Sequence, residues 1–128
     1  MKVVSCHWKP KLIALIAVCV TVVLWHVTAY PRGAAVALIH QATKHYVVKT
    51  YGLASPWRLD YAALLKSRYG IQLEVVAGCV VNEQLTRYVD GYNRIATAQA
   101  NKRFSHDIFE ECSREAKAHY LTRAKKTE

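Results

Sequence analysis

The run Leu12-Ile-Ala-Leu-Ile-Ala-Val-Cys-Val-Thr-Val-Val-Leu-Trp-His-Val-Thr-Ala-Tyr30 contains no Asp, Glu, Lys or Arg. As a helix it would span roughly 28 Å at 1.5 Å per residue, close to the ~30 Å hydrocarbon core of a bilayer. A helix satisfies its own backbone amides, which lipid demands. The stretch therefore predicts a single transmembrane helix in preference to the core helix of a soluble protein. Trp25 and Tyr30 fall near its distal end, where amphipathic rings favour the headgroup zone. His26 lies close enough to that end for a neutral imidazole to reach the interface.

Charge on either side orients the run. Lys2, Lys9 and Lys11 precede it without an acid, whereas Arg32 is the first basic residue after it and Lys44 the next. By the positive-inside rule the N-terminus is cytoplasmic and the rest of the chain is translocated. The same run has the form of a signal peptide, with Val27-Thr28-Ala29 offering small residues for cleavage after Ala29. The long basic leader and Pro31, two residues past that cut, favour a retained anchor. Either way residues from Pro31 onward are exported. The expected organisation is a short basic cytoplasmic segment at 1–11, a membrane helix or uncleaved signal anchor at 12–30, a small extracytoplasmic domain at 31–121 and a polar tail at 122–128.

Composition agrees with one small domain. The chain has 128 residues, 18 Lys and Arg against 9 Asp and Glu, and 52% hydrophobic residues. Disordered chains invert that balance, and a multidomain enzyme does not fit the length. A domain this small buries a modest fraction of its surface and benefits from a covalent staple. Of the four cysteines, Cys6 and Cys19 precede or sit within the apolar run; Cys79 and Cys112 lie beyond it. In an oxidising compartment that pair is a disulfide candidate, restricting the unfolded chain by roughly 3.5–4 kcal/mol. Two separately buried thiols are the alternative.

The fold class expected for the exported part is mainly α. An α+β variant, in which the segments 45–51 and 71–77 pair as strands, is left open. Arg32-Gly33 is expected to break the membrane helix or mark the headgroup boundary. Ser55-Pro56 has the form of a helix start, and Gly70 closes that helix. Asn82 caps the best amphipathic helix, with Leu85, Tyr88, Val89, Tyr92, Ile95 and Ala96 on one face. Gly91 is a weak point in it, costing about 1 kcal/mol. Ser105, followed by Asp107, caps a last helix whose packed face includes Cys112.

Chemistry is sparse. No Walker loop, nucleophile elbow, dinucleotide fingerprint, HExxH or EF-hand loop occurs. His106 and Glu110, at i and i+4, share a helix face with the chemistry for a metal ligand pair or acid–base work, but one His among acids more often marks a solvated helix start. No catalytic residue, metal ligand or cofactor is therefore assigned. Tyr88, Tyr92 and Asn93 lie on or beside the apolar stripe, and with Lys102 and Arg103 they form the candidate interaction surface. Tyr favours interfaces because it buries area while keeping a polar tip; core tyrosines with satisfied hydroxyls are the alternative. The interleaved acids argue against a nucleic-acid groove. The function expected is a membrane-anchored extracytoplasmic binding or accessory protein without catalytic activity. Its partners are the lipid bilayer and a protein of unknown identity. A small exported hydrolase or metal-binding enzyme using His106 and Glu110, or a polyanion-binding module, are the alternatives.

Overall fold

The computed structural model describes residues 8–126. Lys2 and Cys6 of the basic leader, and the last two residues of the tail, lie outside the described residues. The order of elements is α1 (Trp8–Val27), α2 (Ala29–Ala42), β1 (Val47–Tyr51), α3 (Arg58–Tyr69), β2 (Gln72–Ala77), α4 (Glu83–Phe104) and α5 (Ile108–Lys125). The described chain is thus mainly helical, with one short two-stranded parallel sheet. The two segments left open by the sequence do pair, as strands of a β–α–β unit with α3 as the crossover.

One helix, over Pro10–Val27, is long and apolar enough to cross a membrane or to be a signal sequence, and none of it is buried inside the protein. Its side chains point to the surroundings all the way round, including Leu12, Ile16, Val20 and Leu24. The break between α1 and α2 falls at Thr28, earlier than the expected Arg32-Gly33. Pro31 explains the position: it lacks the N–H that would bond the Val27 carbonyl, and its ring crowds that carbonyl. The ladder resumes at once. Thr28 N–H donates to Leu24 O (2.9 Å), and Arg32 N–H donates to Thr28 O (3.0 Å). Helix then runs straight through Gly33.

Gly33 has a packing role. Ala29, Gly33 and Ala37 recur every four residues along α2, and all three are buried. They form the face that meets α4. A Cβ on Gly33 would collide with the Tyr88 carbonyl, and a Cβ on Gly91 would collide with the Tyr30 carbonyl. The two backbones approach as closely as small residues allow. Gly91, a weakness by helix propensity alone, is the place where α4 admits α2.

Direction follows from these contacts. The last turn of α1 (Trp25, His26, Val27) lies beside the first turn of α4 (Asn82, Glu83, Gln84). Farther along, Tyr30 lies against Gly91, and Gly33 against Tyr88 and Tyr92. So α2 and α4 run parallel, away from the point where α1 enters. β1 and β2 run back toward it. The domain therefore has a near end, at α1, and a far end. The strand C-termini, the starts of α3 and α4 and the end of α5 lie at the near end, the last because Arg123 pairs with Asp60 across α5 and α3. The turns at 43–46, 70–71 and 105–107 lie at the far end.

Three helix starts or ends refine the expectation. Asn82 caps α4 as expected, its side chain accepting from Leu85 N–H at 2.8 Å. Ser55 does not cap α3: its carbonyl accepts from Arg58 N–H (2.9 Å), closing a turn around Pro56, and the helix begins at Arg58. For α5 the cap is Asp107, whose carboxylate accepts from Phe109 and Glu110 N–H. Ser105 takes the left-handed conformation that ends α4. The core joins Ala37, Val47, Val48, Leu65, Ile71, Tyr92, Ile108 and Cys112.

Candidate functional site

The most unusual surface is the sheet. Parallel strands are ordinarily buried within larger sheets, and a two-stranded sheet is marginal alone. The outer edge of β1 is completed by a side chain. Lys49 N–H donates to Asn93 Oδ1 (2.9 Å), and Asn93 Nδ2 donates to Lys49 O (2.7 Å). The amide of Asn93 stands in for one residue of a third strand. This geometry fixes the direction of every other amide in the sheet. Lys49 points its N–H and C=O at α4, so Val48 and Thr50 point theirs at β2.

The register sets Val48 opposite Leu73 and Lys49 opposite Glu74. In a parallel ladder the residues answering Val48 are then Gln72 and Glu74. Gln72 N–H accordingly donates to Tyr46 O at 2.9 Å. The backbone groups of Leu73 and Val75 point outward, away from β1, and no other described element pairs with them. Val75 is also exposed through its side chain. No Pro or Lys, the usual edge protections, stands in β2.

Lys49 and Glu74 form the charged centre of the sheet. Their side chains meet at 2.7 Å, with Lys49 8% and Glu74 48% exposed. The Lys49 ammonium lies 4.7 Å from the centre of the Tyr92 ring, a cation–π contact. Tyr92 is fully buried, and its hydroxyl meets His40 Nδ1 at 2.7 Å. Burial, helped by the nearby Glu74 charge, pushes its phenol up to about 12. Tyr92 and Asn93 are therefore structural rather than part of an exposed interaction surface. Period three-to-four places them on the packed stripe, and the sheet occupies them. Tyr88 is half-buried beside Gly33. Lys102 and Arg103 stay exposed at the far end, where Arg103 lies over the Tyr46 ring.

The residues expected at a membrane boundary divide similarly. Trp25 and His26 sit on the bare helix. The Arg32 guanidinium lies 3.7 Å from the Trp25 ring centre and donates to the Trp25 carbonyl (2.9 Å). Tyr30 sets its backbone carbonyl against Gly91, and its hydroxyl accepts from Arg94 at 2.9 Å.

His106 does find a carboxylate, though a different one. Its Nε2 lies 2.8 Å from Glu111 Oε2, and its Nδ1 lies 2.8 Å from the Phe104 carbonyl. Glu110 lies at the capped first turn. Tyr69 hydroxyl donates to Glu111 (3.2 Å), and Arg68 grips both oxygens of Glu115 at 2.6 Å. The Arg68 guanidinium holds the Glu115 carboxyl below its usual range. This network staples α3 to α5 and the α4–α5 turn; its members are each engaged by a protein partner. No group of three or more metal-ligating side chains occurs among the described residues.

The disulfide expected between Cys79 and Cys112 is not formed, and both thiols are free. Cys112 is sealed in the core, where burial pushes its thiol up, whereas Cys79 is exposed on the 78–82 connector. Helical spacing correctly put Cys112 on the packed face, but the connector leads Cys79 away from that face. No family model, curated protein or solved structure matches the chain.

Proposed function

We propose that the chain is a membrane-anchored, extracytoplasmic binding or accessory protein without catalytic activity. Its N-terminus is cytoplasmic, and its partner protein adds an extended segment to the open edge of β2. The observation that carries this reading is that edge: outward amides at Leu73 and Val75, beside an exposed Val75, on a sheet of only two strands. Strand addition supplies main-chain hydrogen bonds for affinity and alternate side-chain contacts for specificity. Orientation is supported by Lys2, Lys9 and Lys11, which precede the apolar run from Leu12, and by the scarcity of basic residues just after that run. Retention of the anchor is supported by Ala29, which is fully buried in α2 against α4. Cleavage after it would remove the first member of the Ala29, Gly33 and Ala37 face that packs on α4.

The test uses the full chain in its native membrane, with a photocrosslinking side chain in place of exposed Gln72. The reading predicts a protein adduct that disappears when Val75→Pro is added. That change removes an outward N–H with no partner in the fold, so thermal unfolding should stay the same while an incoming strand is blocked. An adduct indifferent to Val75→Pro, or no adduct, contradicts it.

A further inference from the structure

The large hydrophobic side chains most open to the surroundings in residues 29–126 are Val80 (91%), Leu53 (82%) and Leu59 (82%). Leu53 and Leu59 flank the entry to α3, Val80 lies farther along the chain, and the fold carries the two stretches to the same end. Gly52 N–H donates to Ala77 O (3.2 Å) and Gly78 O (3.0 Å), which seats the Leu53 loop beside the connector that carries Cys79 and Val80. Leu59 is in the first turn of α3, which that same loop feeds. All three occupy the near end. Asn82, two residues after Val80, lines one groove with Trp25 and Arg32.

The Leu53 loop is held in shape. Arg58 donates to the carbonyls of Tyr51, Gly52 and Leu53, the last at 3.0 Å. An exposed leucine on a clamped loop has not simply strayed into solvent. The end of α5 arrives at the same place, since Lys117 lies over Trp57 and Arg123 pairs with Asp60. It carries exposed Lys125 and Lys126 to this end. The far end differs in its exposed turn residues, which are Thr43, Lys44, His45, Gly70, Ser105, His106 and Asp107 beside exposed Lys102 and Arg103, while Tyr46 and Ile71 there are packed.

We propose that this near end is a second membrane contact: Leu53, Leu59 and Val80 dip into the interface of the bilayer that α1 spans, while Lys125 and Lys126 meet anionic headgroups. The proposal rests on α1 being a membrane helix. Its occupant is set by continuity, because Val80 is two residues from a helix start that flanks Trp25 at the end of the apolar span. A bilayer at the level of Trp25 therefore brings its headgroup zone to the tip. Apolar side chains flanked by lysines are what such a zone binds, and each lysine near an anionic surface should shift the docked-to-free ratio about fivefold.

The experiment places an environment-sensitive fluorophore on native Cys79 of the full chain, with Cys6 and Cys19 replaced by Ala, in vesicles of phosphatidylcholine and phosphatidylglycerol. Spin-labelled lipids serve as quenchers. Parallel samples carry the fluorophore at Cys19, and at Ser105→Cys with Cys79→Ser. The inference expects a blue shift and quenching at Cys79, none at Ser105→Cys, and a marked loss of Cys79 quenching in Lys125→Glu/Lys126→Glu or in vesicles lacking phosphatidylglycerol. Quenching at Cys19 without quenching at Cys79 overturns the inference and leaves the anchor standing. Absence of quenching at Cys19 overturns both. A blue shift at Cys79 without lipid quenching means that another protein chain covers the tip, and it also overturns the inference.

Discussion

Between Trp8 and Ala42 the chain forms two helices joined at Thr28, and the two halves meet their surroundings in opposite ways. α1 carries branched and bulky side chains on every side and buries none of its apolar span in protein. α2 is as free of acids, yet it carries Ala29, Gly33 and Ala37 on one face and packs them on α4. α1 is the more apolar of the two, since α2 carries Arg32, His40 and Gln41. The spacing of small residues adds a second difference, because it decides whether a helix can bring its backbone against another helix. α1, without such a face and bare all round, is long and apolar enough to cross a membrane or to be a signal sequence.

Substitutions at small residues should break this contrast most strongly. Gly91→Ala or Gly33→Ala puts a methyl group into a facing carbonyl, and overpacking of this kind costs about 3 kcal/mol. Helix propensity alone predicts the opposite sign, a gain of about 1 kcal/mol. The matching change in α1, Ala17→Val, should leave unfolding of the domain unchanged. Denaturant unfolding of the full chain in detergent distinguishes these outcomes.

The next effect sharpens the role of α4. Asn93→Ala leaves the Lys49 N–H and C=O without partners and should destabilise by about 2 kcal/mol. Asn93→Asp, which keeps the acceptor and loses the donor, should cost less. Hydrogen exchange at Lys49 reports it directly: its amide should lose protection in the Ala variant and keep part of it in the Asp variant.

Two smaller effects depend on pH. The Tyr92 phenol is raised from 10.0 to about 12 in the folded state. The unfolded chain releases that proton first, so the stabilisation is complete below pH 10 and is lost as pH rises toward 12. Tyrosinate absorbance and loss of ellipticity should therefore rise together for this residue, and Tyr92→Phe should remove that part of the alkaline transition. Glu115 runs the other way. Its carboxyl is held below 4.5 by Arg68, so its contribution is present above that pH and fades as pH falls through the lower folded value. Arg68→Met should make the acid limb shallower, by a small amount, because the pair is exposed to solvent screening.

Much of this architecture is legible in the sequence because it rests on local signals. The charge-free run at 12–30, the Asn82 cap, the Gly70 stop and the packed face of Cys112 each follow from a few adjacent residues. Pairing of the segments 45–51 and 71–77 is only one option in the sequence, and its parallel sense is not legible there, since pairing depends on where α3 carries the chain and not on either segment alone. Asn93 stands out in the sequence only as a neighbour of the apolar stripe, because nothing local marks an amide as the completion of a distant strand. Ala29-x-x-x-Gly33-x-x-x-Ala37 was the missed signal that could have been read. It spells a close-packing helix face, and its glycine looked instead like a helix end. The missing Cys79–Cys112 bond has a similar origin: parity put one sulfur inside, and only the path of the connector shows the other outside.

The central claim is that α1 lies in lipid while the α2–α4 pair holds the domain on the exported side. It is tested most directly by adding a membrane-impermeant maleimide to intact cells that make single-cysteine variants. One variant keeps Cys19 alone on α1; the other carries Ser67→Cys alone on the exposed face of α3. The account predicts immediate labelling of Ser67→Cys and no labelling of Cys19 until detergent dissolves the membrane. Labelling of Cys19 in intact cells, or a Ser67→Cys thiol that reacts only after the cells are opened, would contradict it.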